Sequence, residues 1–188
     1  NNLIKEPQKK IEIGIVKKPG TSENQVKQSY LAIGSNLGNK LENIEKTKFE
    51  LQNNKIKIIK SSSNFVSESW PNSSHPKYIN AVLEIKTILT PFELLKVCNL
   101  IERKLGRKRS TKNAPRFCDI DIIDYKQELL NLGDKNLILP HPRMSKRNFV
   151  LLPLFEINRS WKHPKTKKSI VNLIKSLSIK DLRSIKQI

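Results

Sequence analysis

The 188-residue chain has little of several things that usually mark a function class. It holds 2 Cys, Cys98 and Cys118, too few for a disulfide framework or a cysteine zinc site in a chain this size. Cys98 sits on the apolar stripe of a predicted helix and Cys118 in a predicted strand, so both are expected in the core. No apolar run approaches the roughly 20 residues that a bilayer-spanning helix needs. The first residues are polar and hold no secretory apolar region, so a soluble cytoplasmic protein is expected. Aromatics are 6% of the residues, and the Lys/Arg, glycine and aromatic run of an RNA-recognition sheet is absent. Acids are outnumbered, with Asp+Glu 17 against Lys+Arg 36 for a net charge of +19. Such a field attracts polyanions. The lysines are nevertheless spread along a chain also rich in Ile and Asn, which reads as compositional bias rather than a nucleic-acid surface. The same field suits a triphosphate.

Residues 1–28 read as a polar extension or linker, with only Ile11 to Val16 strand-like. Residues 29–188 are enough for one domain. Within it, Tyr30 to Ile33 is a strand, Lys40 to Gln52 a helix with Leu41, Ile44 and Leu51 along its stripe, and Lys55 to Phe65 a strand. Ser67 to Pro76 reads as a loop and Tyr78 to Thr87 as a strand. Thr90-Pro91-Phe92-Glu93 is a capping box with proline at the first helical position. The helix it starts carries Leu94, Leu95, Cys98, Ile101 and Leu105 on one stripe, and Gly106 is suited to end it. Phe117 to Tyr125 is a strand. The expected class is α+β, a ferredoxin-like βαββαβ sheet with helices packed on it.

The sharpest chemical feature is Asp119-Ile120-Asp121. Strand residues two apart point to one face, so the two carboxylates stand side by side and repel. A bound Mg²⁺ removes that repulsion, since it takes oxygen ligands and is commonly held by one or two carboxylates plus substrate phosphates. The loop Gly106 to Arg116 leads into this pair with five cationic residues, and arginine forks match phosphate oxygens. A third feature is His141-Pro142-Arg143, with Arg147 and Phe149 just beyond. The turn Ile33-Gly34-Ser35-Asn36-Leu37-Gly38 lacks the lysine of a Walker loop and the spacing of a dinucleotide fingerprint, and is uninformative alone.

Together these segments resemble the 6-hydroxymethyl-7,8-dihydropterin pyrophosphokinase family in one collinear order, from about Tyr30 to Trp161. The matching segments are Tyr30 to Gly38, His75-Pro76-Lys77-Tyr78-Ile79-Asn80-Ala81-Val82, Ala114-Pro115-Arg116-Phe117-Cys118-Asp119-Ile120-Asp121, and Pro140 to Leu154. The resemblance implies transfer of the pyrophosphoryl group of ATP to the pterin hydroxymethyl oxygen, with AMP leaving, in folate biosynthesis. By position it implies two Mg²⁺ on Asp119 and Asp121, and phosphate contacts from Arg107 and Arg116. Asn99, Glu102, Ile122, His141 and Arg147 would serve ATP. Ser67, Tyr78, Asn80 and Phe149 would form the pterin slot. The implied partners are those two small molecules, with no nucleic acid and no membrane, and with other folate enzymes fused to the chain or acting beside it. The sequence departs from the family where Lys112-Asn113-Ala114 replace Arg-Trp-Gly and Phe117 replaces threonine. It departs again where Phe65 and Ser67-Glu68-Ser69 replace the more common Tyr-Arg-Thr-Pro-Pro stretch.

Overall fold

The computed structural model describes residues 28–69, 74–107, 114–133 and 137–188. The strand expected at Ile11 to Val16 and the middle of the basic loop, 108–113, lie outside the described residues. The elements run β1 (Ser29–Ser35), α1 (Lys40–Asn53), β2 (Lys57–Ser61), β3 (Phe65–Ser67), β4 (Tyr78–Lys86), α2 (Pro91–Lys104) and β5 (Asp119–Tyr125). After these come β6 (Leu130–Leu132), β7 (Leu137–Leu139), α3 (Asn148–Ile157), α4 (Ile170–Lys175), α5 (Ile179–Arg183) and β8 (Ile185–Gln187).

The main sheet is 6-stranded, in the order β5-β1-β4-β3-β8, with β2 also on β4. Strand β1 is antiparallel to both β4 and β5. Counting β2 and β3 as one interrupted strand gives the 4-1-3-2 order of a ferredoxin-like βαββαβ unit. The expected single strand from Lys55 to Phe65 is therefore corrected to two, and Ser67 belongs to the second rather than to a loop. At the break, the Ser62 hydroxyl accepts from Val82 N–H at 2.9 Å, and Ser62 N–H donates to Val82 O at 2.9 Å. A side chain thus takes over one rung of the ladder.

Side-chain alternation covers both faces of the sheet. Leu31, Ile33, Ala81, Leu83, Ile120 and Ile122 pack with Ile44, Leu51, Leu94 and Ile101 from α1 and α2. Tyr30, Ala32, Val82 and Ile123 pack with Val150, Leu151 and Leu154 from α3 and with Trp161. An RNA-recognition sheet needs one open face, and here each is roofed by helix. The register between β1 and β5 shifts between Tyr30 and Leu31. Past that bulge Asp124 turns to the α3 side, where its buried carboxylate accepts from Trp161 Nε1 at 2.9 Å.

In α2 the capping box forms as expected: Thr90 accepts from Glu93 N–H, and the Glu93 carboxylate accepts from Thr90 N–H at 2.8 Å. Gly106 follows with φ +98, the left-handed region that glycine tolerates. On α1 the stripe is Ile44, Thr47 and Leu51, whereas Leu41 is 47% exposed. Leu41 lies in the first turn of the helix. The apolar run beginning at Phe149 is α3, and the polar end of the chain adds edge strand β8 to β3.

Candidate active site

A cleft of about 330 Å³ opens at one end of the sheet, between α2 on one face and the segment leading into α3 on the other. Its floor is the start of β4, the end of β1 and the start of β5, which contribute Tyr78, Asn80, Gly34, Asp119 and Asp121. Helix α2 supplies Leu95, Asn99 and Glu102, and the segment leading into α3 supplies Arg143, Arg147 and Phe149. Ser67 and Glu68 from β3 and its end, and Arg107 and Arg116 from the ends of the basic loop, also line it.

One half of the cleft is ionic. Arg116 Nη1 donates to Asp119 Oδ1 at 2.7 Å, and Arg147 Nη1 donates to Asp121 Oδ2 at 2.7 Å. Arg107 Nη1 pairs with Glu102 and lies 3.6 Å from Asp119 Oδ1. The other oxygen of Glu102 accepts from Ile120 N–H at 2.8 Å, so one buried carboxylate ties α2 to the strand that carries both aspartates. Burial, then the charge of Asp119, pushes the Glu102 carboxyl up to about 7. For Arg116, burial acts to lower the pKa, but the charge and hydrogen bond of Asp119 outweigh it and the guanidinium ends higher than usual. Burial lowers His141 against the opposing pull of Asp121, which favours a neutral ring. Its Nδ1 accepts from Arg143 N–H at 3.1 Å, leaving the proton on Nε2, 3.7 Å from Asp121 Oδ2.

These residues fit a magnesium ion. Asp119 and Asp121 share one sheet face with side chains 32% and 35% exposed, and both present oxygen donors. Among the described residues no group of three or more His, Cys, Asp or Glu comes together as a metal site. The protein side would thus offer two oxygens and leave the other positions to phosphate and water, the usual way Mg²⁺ is held.

The other half carries Ser67, Asn80 and the rings of Tyr78 and Phe149. Asn80 is buried, and its Nδ2 donates to Ser67 Oγ at 2.9 Å and to Phe65 O at 3.4 Å. With both amide protons used internally, Oδ1 remains as an acceptor. Phe149 stands at the first turn of α3, with the Arg147 guanidinium 5.4 Å from its ring centre. Burial, then Asp119, raises the Tyr78 phenol above its usual range, so it stays neutral.

All the residues expected from the sequence line this cleft except Ile122 and His141. His141 sits just behind Asp121. The Ile122 side chain is 5% exposed and points into the core under α1 and α2, so it cannot serve a ligand there. Its main chain can: Ile120 N–H points away from β1 to reach Glu102, and two residues along the pleat Ile122 faces the same edge. Gly34, Glu68 and Arg143 also line the cleft and carried no assigned role. The arginine beside His141 was the readable signal among them. Phe117, where the family has threonine, packs on two positive-φ glycines: its ring is 3.1 Å from where a Cβ on Gly38 would stand and 3.2 Å from one on Gly106.

The pattern of the 7,8-dihydro-6-hydroxymethylpterin-pyrophosphokinase (HPPK) family matches residues 30–159. The chain belongs to this family. Among HPPK relatives, 2-amino-4-hydroxy-6-hydroxymethyldihydropteridine pyrophosphokinase of Bacillus subtilis is 38% identical over 130 residues, 69% of this chain and 77% of that protein. The Aquifex aeolicus protein of the same name is 38% identical over 135 residues, 72% of this chain and 82% of that one. The folic acid synthesis protein fol1 of Pneumocystis carinii is 34% identical over 166 residues, 87% of this chain but 22% of that protein. A crystal structure of HPPK-DHPS in complex with substrates superposes with a TM-score of 0.66 at 15% identity, covering 85% of this chain and 46% of that one. The fold is thus the HPPK fold, and the chain spans only a fraction of the longer proteins in which that unit is joined to others.

Proposed function

We infer that the chain transfers the pyrophosphoryl group of ATP to the hydroxymethyl oxygen of 6-hydroxymethyl-7,8-dihydropterin, giving the pterin diphosphate and AMP in folate biosynthesis. The observation that carries this reading is one cleft with an ionic half built on Asp119, Asp121 and three arginines, and a slot half built on Tyr78, Asn80 and Phe149. Membership of the HPPK family supports it.

In the reaction the pterin hydroxymethyl oxygen bonds to the β-phosphorus, and the bond from that phosphorus to the α,β-bridging oxygen breaks. Phosphoryl transfer asks a protein mainly for positioning and charge stabilisation. The slot places the pterin: the acceptor oxygen of Asn80 meets donor groups on the ring edge, Ser67 supplies backbone contacts, and the aromatic residues bracket the plane. Arg107 and Arg116 hold the charge that grows on the phosphate oxygens, Arg116 closest to the metal-binding carboxylates. Asn99, Glu102 and the Ile122 main chain border the nucleotide, and His141 and Arg147 contact its phosphates. Asp119 and Asp121 would hold two Mg²⁺, which would neutralise negative charge on the triphosphate.

The reading takes residues 29–188 as the catalytic unit and 1–28 as an extension or linker. It places the reaction in the cytoplasm, needs neither nucleic acid nor a membrane, and allows other folate enzymes to be fused to this unit or to work beside it. Among the described residues no helix is long and apolar enough to cross a membrane. The deciding experiment follows AMP release from MgATP with and without the reduced hydroxymethylpterin, with the pterin product weighed by mass spectrometry. Pterin-dependent AMP and a diphosphorylated pterin are expected; ADP formation, or AMP release indifferent to the pterin, overturns the reading.

A further inference from the structure

The turn after β1, uninformative in sequence, ties together the backbone behind both halves of the cleft through one side chain. Asn36 is 2% exposed. Its Oδ1 accepts from Arg116 N–H at 2.7 Å, and its own N–H donates to Arg116 O at 3.1 Å. Its Nδ2 donates to Pro76 O at 3.2 Å, two residues before Tyr78. One amide therefore fixes the backbone of the arginine that reaches Asp119 and also the entry to the strand that carries Tyr78 and Asn80.

The turn is built to hold this position. Asn43 Nδ2 donates to Leu37 O at 2.9 Å and to Ser35 Oγ at 3.1 Å, bracing it from α1. Lys40 Nζ donates to Lys77 O at 3.2 Å, a second tie to the strand entry. Phe117, next to Arg116, lies on Gly38 of the same turn. Only a side chain with both an acceptor and a donor at its tip can make the two links, and asparagine is the short one.

We propose that Asn36 is a positioning residue for the transfer: it sets Arg116 and the pterin slot in a common frame, so that acceptor oxygen and transferring group meet at the right distance. The proposal rests on the pyrophosphokinase reading. Its physical basis is that a displacement of about 1 Å at a reacting centre can lower a rate on the order of 100-fold, even when each substrate still binds.

The test uses the full chain with Asn36→Ala and Asn36→Asp, followed by single-turnover transfer rate, pterin KM, MgATP dissociation constant and thermal midpoint. Asn36→Ala is expected to lower the single-turnover rate roughly 30- to 100-fold and to raise pterin KM, with MgATP affinity unchanged. Asn36→Asp keeps the acceptor for Arg116 N–H and, ionised at neutral pH as an ordinary aspartate is, has no donor for Pro76 O. It should recover much of the rate while pterin KM stays high. That split is what a merely structural asparagine would not produce. Wild-type kinetics in Asn36→Ala overturn the proposal, as does a loss shared equally by both substrates and tracking the fall in thermal midpoint in both variants. If the alanine variant does not fold, Asn36→Asp decides alone: an unaltered pterin KM overturns the proposal. A wild-type chain without pterin-dependent AMP release takes down the functional reading and this proposal together, whereas an active wild type with normal variants removes only the latter.

Discussion

Arg116 Nη1 and Asp119 Oδ1 lie 2.7 Å apart across the loop that leads into β5. The end of the basic loop and the start of the acidic strand, adjacent in sequence, are thus joined in space by an ion pair.

Asp119→Ala and Asp121→Ala are each expected to lower pterin-dependent AMP release by roughly 100- to 1000-fold or more, the scale for removing a group that stabilises transferring charge. Each variant should stay folded by circular dichroism, since both side chains are about a third exposed at 32% and 35%. Magnesium-dependent turnover near the wild-type rate in either variant would refute the metal assignment.

On the proposed reading the guanidinium stands where charge develops rather than where the nucleotide is first held, so Arg116→Ala should lower the single-turnover rate far more than it weakens ATP binding. Arg116→Lys should recover only part, since a point charge cannot reproduce a fork that spans Asp119 and a phosphate oxygen. Normal chemistry with weakened ATP affinity in the alanine variant would make Arg116 a ground-state binding group instead.

Glu102 gives a pH dependence with a definite sign. Burial and Asp119 push its carboxyl up to about 7 in the folded chain, above its ordinary 4.5. The folded chain therefore binds the proton more tightly than the unfolded one. This contribution to stability is complete below the unfolded value and is lost as pH rises through the folded one. Urea midpoints of the metal-free protein should fall between about pH 4.5 and 7 by an amount worth roughly 1–3 kcal/mol. Glu102→Gln should flatten that slope, and equal slopes in the two proteins would exclude Glu102 as its source.

A methyl group on Gly34 would stand 3.1 Å from Asn80 Oδ1 and 3.3 Å from Tyr78 Cδ1. Gly34→Ala should then push on the pterin slot and leave the ionic half alone. Titration is expected to show a pterin KM raised several-fold, about 1 kcal/mol in binding, with unchanged MgATP affinity. A variant weakened equally for both substrates would show that the strain spreads through β1.

The parts of the site legible in the sequence are those whose geometry is local. Asp119 and Asp121 share a face because strand side chains alternate, and the capping box places α2 and so the height of Glu102 along it. Ile122 obeys the same alternation and faces the core, which leaves only its main chain for a ligand. What could not be read is what depends on partners distant in the chain. The break between β2 and β3 exists because Ser62 meets Val82, and β8 is a three-residue polar strand that exists only because β3 offers it an edge. The reach of Asn36 to Pro76 and Arg116 spans 40 and 80 residues, and no pattern in its own turn announces it.

The ionic half of the cleft brings its own counter-ions. Glu102, Asp119 and Asp121 are matched by Arg107, Arg116 and Arg147, so the site is close to neutral inside a chain of net charge +19. On the proposed reading, loading it is an exchange of partners: each arginine trades a carboxylate for a phosphate oxygen while magnesium takes over the aspartates. No arginine and neither aspartate is left without a partner of opposite charge in the exchange. Added salt should screen the field of the whole chain, slowing the arrival of the nucleotide and weakening its binding in step.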